Sequence, residues 1–181
     1  MIYIDKYTNF INEQYGKKHN VIFCDIHGVV VRPEEGDVVE YSKDGHMKYS
    51  PKHEWDPRCV ELINRLIEVT SAKLVITSTL KEKKSLHFIK KYAKHNGVHV
   101  YDVTPNIAHN EKGEEIKAWI KKHGVLNFAI IDDNVLDIPS YYPDNFIQTN
   151  SISGITDKEY KLAHKILTKG NNDKGYFMQE N

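Results

Sequence analysis

Cysteine is scarce in this chain, and net charge is absent. There are two cysteines in 181 residues, and 25 basic side chains stand against 25 acidic ones. Cys24 lies inside an apolar run and Cys59 in a helix-like pattern, so both read as buried free thiols, which suits a reducing compartment. The balanced charge excludes a strongly basic nucleic-acid binder and an acidic tail, although local clusters remain open to either use. No window approaches the roughly 18 apolar residues of a membrane span. The first residues, MIYIDKYTNFINEQYG, lack the basic start and apolar core of a signal peptide. Internal repeats and low-complexity tracts are missing too. Histidines are scattered, and none pairs with the cysteines at zinc spacing; His95 and His99 are four apart, but Gly97 breaks the helix between them. At 40% hydrophobic and 28% charged, the chain is too apolar for disorder throughout. These absences leave a soluble, cytoplasmic chain forming one domain with a sizeable core, and no membrane partner.

What is present has a regular order. Residues 1–20 form a polar leader in which Ile4, Tyr7, Phe10, Ile11 and Tyr15 approximate helical spacing. Val21–Asp25 is a short β-branched apolar run, the mark of a strand buried on both faces. Two strand-like runs flank Asp44-Gly45, which predicts a small β-hairpin over about 37–50. Asp56-Pro57 then starts a helix as N-cap and first helical residue. A strand over Lys73–Thr77, a lysine-rich helix over about 82–95 and a strand over His99–Val103 follow. Lys112–His123 is a helix stopped by Gly124, Phe128–Ile131 a fourth strand, and Phe146–Gln148 a fifth. Thr156 to Glu159 fits a capping box for a last helix ending near Thr168. Residues 169–181 read as a frayed tail, and Tyr141-Tyr142-Pro143 as a loop cover. Strands alternating with helices predict an α/β fold. The expected architecture is a three-layer sandwich around a mostly parallel, Rossmann-like sheet spanning 21–168, with the hairpin as a small cap insertion.

In such sheets ligands bind beyond the carboxyl ends of the strands. The polar residues there are Asp25, His27 and Gly28; Thr77, Ser78 and Thr79; Lys112 before its helix; and Asp132, Asp133 and Asp137. Carboxylates gathered from two strand ends repel unless a cation sits between them. Mg²⁺ suits this arrangement, because it takes one or two carboxylates together with substrate phosphate. A hydroxyl at Ser78 and an ammonium at Lys112 are what a phosphoryl group needs. An aspartate beside such a group can also serve as the nucleophile.

DIHG at 25–28, LVITS at 74–78, Lys112 and IIDD at 130–133 resemble, in order, the four motifs of the haloacid dehalogenase-like (HAD) phosphohydrolase superfamily. The runs KGEEIKAWI, VLNFAIIDDN and Gly154-Ile155-Thr156 are most similar to its small polynucleotide-phosphatase and RNA-repair members. The resemblance covers about residues 20–168. It implies Asp25 as nucleophile and magnesium ligand, and His27 in the place of the general acid/base, with its carbonyl on the metal. It further implies Ser78 as the phosphate-binding hydroxyl, with Thr77 and Thr79 adjacent in the same run. Lys112 becomes the phosphate-neutralising lysine, with Lys117 as a rival, and Asp132 and Asp133 the acidic metal site. The implied activity is a Mg²⁺-dependent phosphoric monoester hydrolase. Its expected partner is a phosphorylated small molecule, a nucleotide or a nucleic-acid end.

His27 departs from the family pattern, which has aspartate there. Three readings stay open. An imidazole can protonate the leaving alkoxide and then activate water. Alternatively the site binds phosphate but turns over slowly, as a pseudoenzyme or binding module. A third possibility is a substrate whose leaving group needs no proton. Elsewhere, Lys81, Lys83, Lys84, Lys90, Lys91 and Lys94 predict a basic helix face, either solvated or a track for a phosphate backbone. Trp55, Tyr41 and Tyr49 read as packing, or as a stacking surface for a base.

Overall fold

The computed structural model describes residues 18–32, 54–107 and 111–169, together with the backbone of 40–41 and 47–48. Five strands make one parallel sheet: β1 (His19–Cys24), β4 (Lys73–Ile76), β5 (Asp102–Val103), β6 (Val125–Asp132) and β7 (Phe146–Gln148). Their spatial order is β5-β4-β1-β6-β7. The chain therefore builds outward from β1 on one side, then returns to build outward on the other. That reversal leaves a crevice at the carboxyl ends of β1 and β6, the place where such sheets bind ligands.

Strand alternation sorts the core into two layers. Ile22 and Cys24 of β1 join Leu74, Ile76, Ala129 and Ile131 on one face. There they meet α1 (Pro57–Thr70), α2 (Leu86–His95) and α5 (Asp157–Leu167) through residues such as Ile63, Leu66, Ile89 and Ala163. Val21 and Phe23, with Val75 and Ile130, point to the other face. There they meet α3 (Lys112–His123) and α4 (Ile138–Tyr141) through Ile116, Trp119 and Ile138. Phe23 anchors this second layer, edge-on to Trp119 at 5.4 Å and to Phe128 at 5.9 Å. Each such fully buried side chain contributes about 1.5–3 kcal/mol of transfer free energy. The expected three-layer α/β sandwich is the observed one. Cys24 and Cys59 are free and buried within it.

Caps form where local chemistry calls for them. Asp56 accepts from the amides of Arg58 at 2.9 Å and Cys59 at 3.2 Å, and Pro57 opens α1. Arg32 Nε donates to the same carboxylate at 2.6 Å, tying α1 to the loop that follows β1. Thr156 and Glu159 close the capping box of α5.

Several boundaries differ from expectation. β1 starts at His19, so the strand reaches into the segment read as leader; residues 1–17 lie outside the described residues, as does 170–181 of the tail. The lysine-rich helix starts at Leu86. A 3₁₀ turn over Thr79–Glu82 precedes it, and Ser85 accepts from Phe88 N at 3.2 Å as a new N-cap. The third strand shrinks to Asp102–Val103. Its register sets Asp102 beside Val75, so His99 alone of the expected strand runs past the start of β4, while Tyr101 N still donates to Leu74 O at 2.8 Å just before the paired residues. α4 falls partly within the stretch read as a loop cover. The expected hairpin is represented by β2 (Glu40–Tyr41) and β3 (Met47–Lys48), paired antiparallel with Tyr41 opposite Met47. Residues 42–46 and Tyr49 lie outside the described residues. Trp55 is packing: it is buried, edge-on to Tyr92 at 5.9 Å.

Candidate active site

Two backbone bonds carry the sheet one residue past its strands. Asp25 N donates to Ile131 O and Thr77 N to Cys24 O, each at 3.0 Å. Asp25 is thereby fixed at the crevice between β1 and β6, with Thr77 and Ser78 on its other side. The chain then folds back over Ile26–Val31. Val30 N and Val31 N both donate to Ile26 O, and Gly28 N donates to Val31 O. Gly28 is obligatory there. Its φ is +72°, and a Cβ would lie 2.3 Å from Asp133 Cγ. From outside, Thr149 Oγ1 donates to Gly28 O at 2.7 Å and Ile155 N to Val29 O at 2.9 Å. These bonds explain why Asp25 and the half-buried His27 share one rigid turn.

Asp132 is the last residue of β6 and is fully buried, with Asp133 next to it. Asp25, Asp132 and Asp133 each place a carboxylate oxygen within 4.8 Å of the others; among the described residues this is the single cluster of acidic, His or Cys groups so gathered. Lys112 enters from the first residue of α3. Its Nζ lies 2.7 Å from Asp132 Oδ2 and 3.3 Å from Asp25 Oδ2, and its side chain is 6% exposed. α3 is held at this angle by Asp137, whose two carboxylate oxygens accept from Gly113 N, both at 3.0 Å. Asp137 thus serves the helix N-terminus, where a negative charge is favourable, and stands apart from the carboxylate cluster. Gly113 is needed for that close approach, since a Cβ would meet Tyr141 Cδ2 at 2.4 Å.

The remaining expected residues divide. Ser78 and Thr77 are buried at the end of β4, the Thr77 hydroxyl without a hydrogen-bond partner among the described residues. Thr79 opens the 3₁₀ turn and is exposed. Lys117 is exposed and pairs with Glu114 at 3.1 Å, away from the cluster that Lys112 joins. Lys81 does not belong to the basic helix face. Its ammonium donates to Thr77 O at 3.1 Å and meets Glu115 Oε2 at 2.7 Å, with both side chains 4% exposed. Glu115 also takes the Thr104 hydroxyl at 3.4 Å and Ile107 N at 3.3 Å. Sequence reasoning missed this pair. One signal existed: Glu115 occupies the inward phase of α3, between Lys112 and Ile116.

The electrostatics follow from three carboxylates facing one ammonium. Burial pushes Asp25 up, but Lys112 and then His27 outweigh it and hold Asp25 below the usual carboxylate range. Burial raises Asp132 to about 6, against Lys112 and with the help of the Asp25 charge. Burial, then the charges of Asp25 and Asp132, raises Asp133 to about 7. Lys112 sits above its ordinary value: burial opposes its charge, but Asp132 and Asp25 outweigh burial. Nucleophile-like and proton-holding carboxylates are thus separated within one cluster. Asp25 Oδ1 is buried and finds no hydrogen-bond partner among the described residues. An orphaned oxygen beside two further carboxylates is a donor set that fits a hard divalent cation.

One stability prediction arises directly. An unfolded Asp133 titrates near 3.8 and the folded one at about 7. Between those values the folded state binds more protons. Metal-free stability therefore falls as pH rises through this window and flattens above it. Thermal melts in EDTA across that range should show the decline, and Asp133→Asn should reduce it. An unchanged profile in the variant would assign the effect to other groups.

A family model described as the HAD domain in Swiss Army Knife RNA repair proteins matches residues 21–160. The chain belongs to that family. A search of curated proteins finds no match. The matched span of this HAD domain runs from β1 to the first turn of α5, so it takes in every residue of the carboxylate cluster. No helix among the described residues is long and apolar enough to cross a membrane.

Proposed function

We propose that this HAD domain is a Mg²⁺-dependent phosphatase that removes a terminal phosphate from RNA through Asp25. The observation that carries the reading is the Lys112 bridge. One ammonium spans Asp25 and Asp132, and it leaves Asp25 ionised with one oxygen unpartnered among the described residues. The RNA part is supported by the family to which the chain belongs.

Asp25, Asp132 and Asp133 would hold the Mg²⁺, with the His27 carbonyl beside them. When bound, the ion supplies charge that offsets the carboxylates and the phosphoryl oxygens. In the first step an Asp25 carboxylate oxygen forms a bond to phosphorus while the ester P–O bond breaks. Protonated His27 gives its proton to the departing alkoxide, which leaves as an alcohol. Asp25 then carries the phosphoryl group as an acyl phosphate. In the second step neutral His27 takes a proton from water as the water oxygen bonds to phosphorus. The Asp25–phosphorus bond breaks, which releases inorganic phosphate and restores the carboxylate. Ser78 donates to a phosphoryl oxygen, and Lys112 balances the charge.

His27 also favours a second reading. A protein with histidine in this place can bind phosphate and turn over slowly, as a binding module. Both readings are tested by phosphate release from nucleoside monophosphates and from oligonucleotides with 3′ or 5′ phosphates, in Mg²⁺ and in EDTA. A phosphatase shows metal-dependent release, and His27→Ala lowers it by about 10²–10⁴-fold, the usual contribution of a general acid/base. Release that is absent from all substrates, or that rises steeply in His27→Asp, would assign the natural chain to the binding class.

A further inference from the structure

α2 leaves the active-site edge of the sheet and runs back along it. Its preceding 3₁₀ turn begins one residue after Ser78, so the segment that leads to the helix N-terminus starts at the carboxyl end of β4. Ten helical residues extend about 15 Å from there. The exposed side of this segment is basic in a chain whose total charge balances. Lys83, Lys84, Lys90, Lys91 and Lys94 are all exposed, and Glu82 is the one acidic residue among residues 81–95. None of the five lysines makes an ion pair among the described residues.

A charged helix face alone is ordinary. Here it also carries a presented ring. Phe88 is 42% exposed, lies near-parallel to Tyr92 at 6.2 Å, and has Lys84 Nζ at 4.8 Å from its ring centroid. Tyr92 in turn rests edge-on against buried Trp55 at 5.9 Å. The ring therefore stands between Tyr92 and the Lys84 ammonium, which lies over its face as a cation that a stacked base would displace toward its phosphate. Farther along, Lys90, Lys94 and His99 line an open groove of about 470 Å³ beside the sheet edge. Aromatic surface interleaved with unpaired cations suits a single strand, whose bases stack while its phosphates meet lysines.

We propose that this face of α2 carries the RNA strand that leads into the active site, with a base on Phe88 and the backbone along Lys84, Lys90, Lys91 and Lys94. The choice of RNA rests on the function proposed above; the strand-binding face rests on the helix itself. The test uses fluorescence anisotropy with the full chain and a single-stranded RNA bearing hydroxyls at both ends, so no turnover enters the reading. Phe88→Ala should weaken RNA binding by roughly 5- to 100-fold, the usual worth of one stacked base. It should leave binding of inorganic polyphosphate unchanged. Replacing Lys90, Lys91 and Lys94 with glutamate should weaken both ligands and reduce the slope of log K against log salt by about 2 for RNA. In the same variants, hydrolysis of a small aryl phosphate should stay at the natural rate. RNA affinity unchanged by either set of substitutions would overturn the proposal, as would equal loss of RNA and polyphosphate in Phe88→Ala. Release absent from the natural chain with the aryl phosphate and with every nucleotide and oligonucleotide phosphate alike would refute the phosphatase reading while leaving the binding result to stand.

Discussion

Asp25→Asn should abolish metal-dependent phosphate release, by at least about 10³-fold, while the chain remains folded. The amide keeps the size of the carboxylate but is a far weaker nucleophile. It also removes the negative charge that Lys112 faces at 3.3 Å. The second Lys112 contact, at 2.7 Å to Asp132, survives. Asp25 is among the groups whose charge raises both Asp132 and Asp133. Its removal therefore lowers both of their pKa values and relieves repulsion in the metal-free state. Asp25 is nonetheless held below the ordinary carboxylate range, so its charge contributes stability at neutral pH, and the expected pair of results is activity lost and metal-free melting temperature modestly lower. Release within tenfold of the natural rate would show that Asp25 is not the nucleophile. A large fall in melting temperature would mean that Asp25 serves mainly to neutralise Lys112.

Asp133→Asn offers a contrast within the same cluster. Asp133 is raised to about 7 and does not touch Lys112. Its loss should weaken metal binding and leave the nucleophile in place, so excess Mg²⁺ should restore rate there. No concentration of metal should restore Asp25→Asn. The difference separates a metal ligand from a group that bonds to phosphorus.

How much of this was readable beforehand depends on the range over which each interaction acts. Lys112–His123 and Phe146–Gln148 were legible to the residue, because Gly124 stops one and turn residues bound the other. Asp56, Pro57 and the Thr156–Glu159 box announced their helices through bonds spanning three residues or fewer. The members of the carboxylate cluster were legible as polar residues ending apolar runs, a pattern that strand burial imposes. Ser85 as an N-cap was overlooked because lysines on both sides of it read as one continuous helix. β5 was overestimated because its length is set by the register against β4, which its own residues do not encode. α4 was missed since a single turn carries little periodicity; the proline after buried Ile138 was its one local sign. Glu115 and Lys81 are far apart in sequence, and no local pattern joins them.

That pair should be the most sensitive point of the fold outside the hydrophobic core. Lys81 and Glu115 are each 4% exposed and meet at 2.7 Å. Removing one partner strands a buried charge, which costs about 3–5 kcal/mol. A domain of this size is stable by only about 5–15 kcal/mol, so either single change takes a large share. Lys81→Met leaves the Glu115 carboxylate with the Thr104 hydroxyl and Ile107 amide alone. Glu115→Gln leaves Lys81 with Thr77 O. The double variant strands neither charge, so it should be much more stable than the sum of the two losses predicts. Urea unfolding of the natural chain, both single variants and the double variant measures that coupling. Additive losses would show that the two side chains do not act as a pair. The consequence reaches the site because Lys81 also holds the carbonyl of Thr77, the residue before Ser78. With that anchor gone, the end of β4 loses its tie to α3, which carries Lys112. The double variant should therefore recover stability and still show a raised KM for phosphate esters, with kcat less affected. If KM returned along with stability, the bridge would matter only for folding.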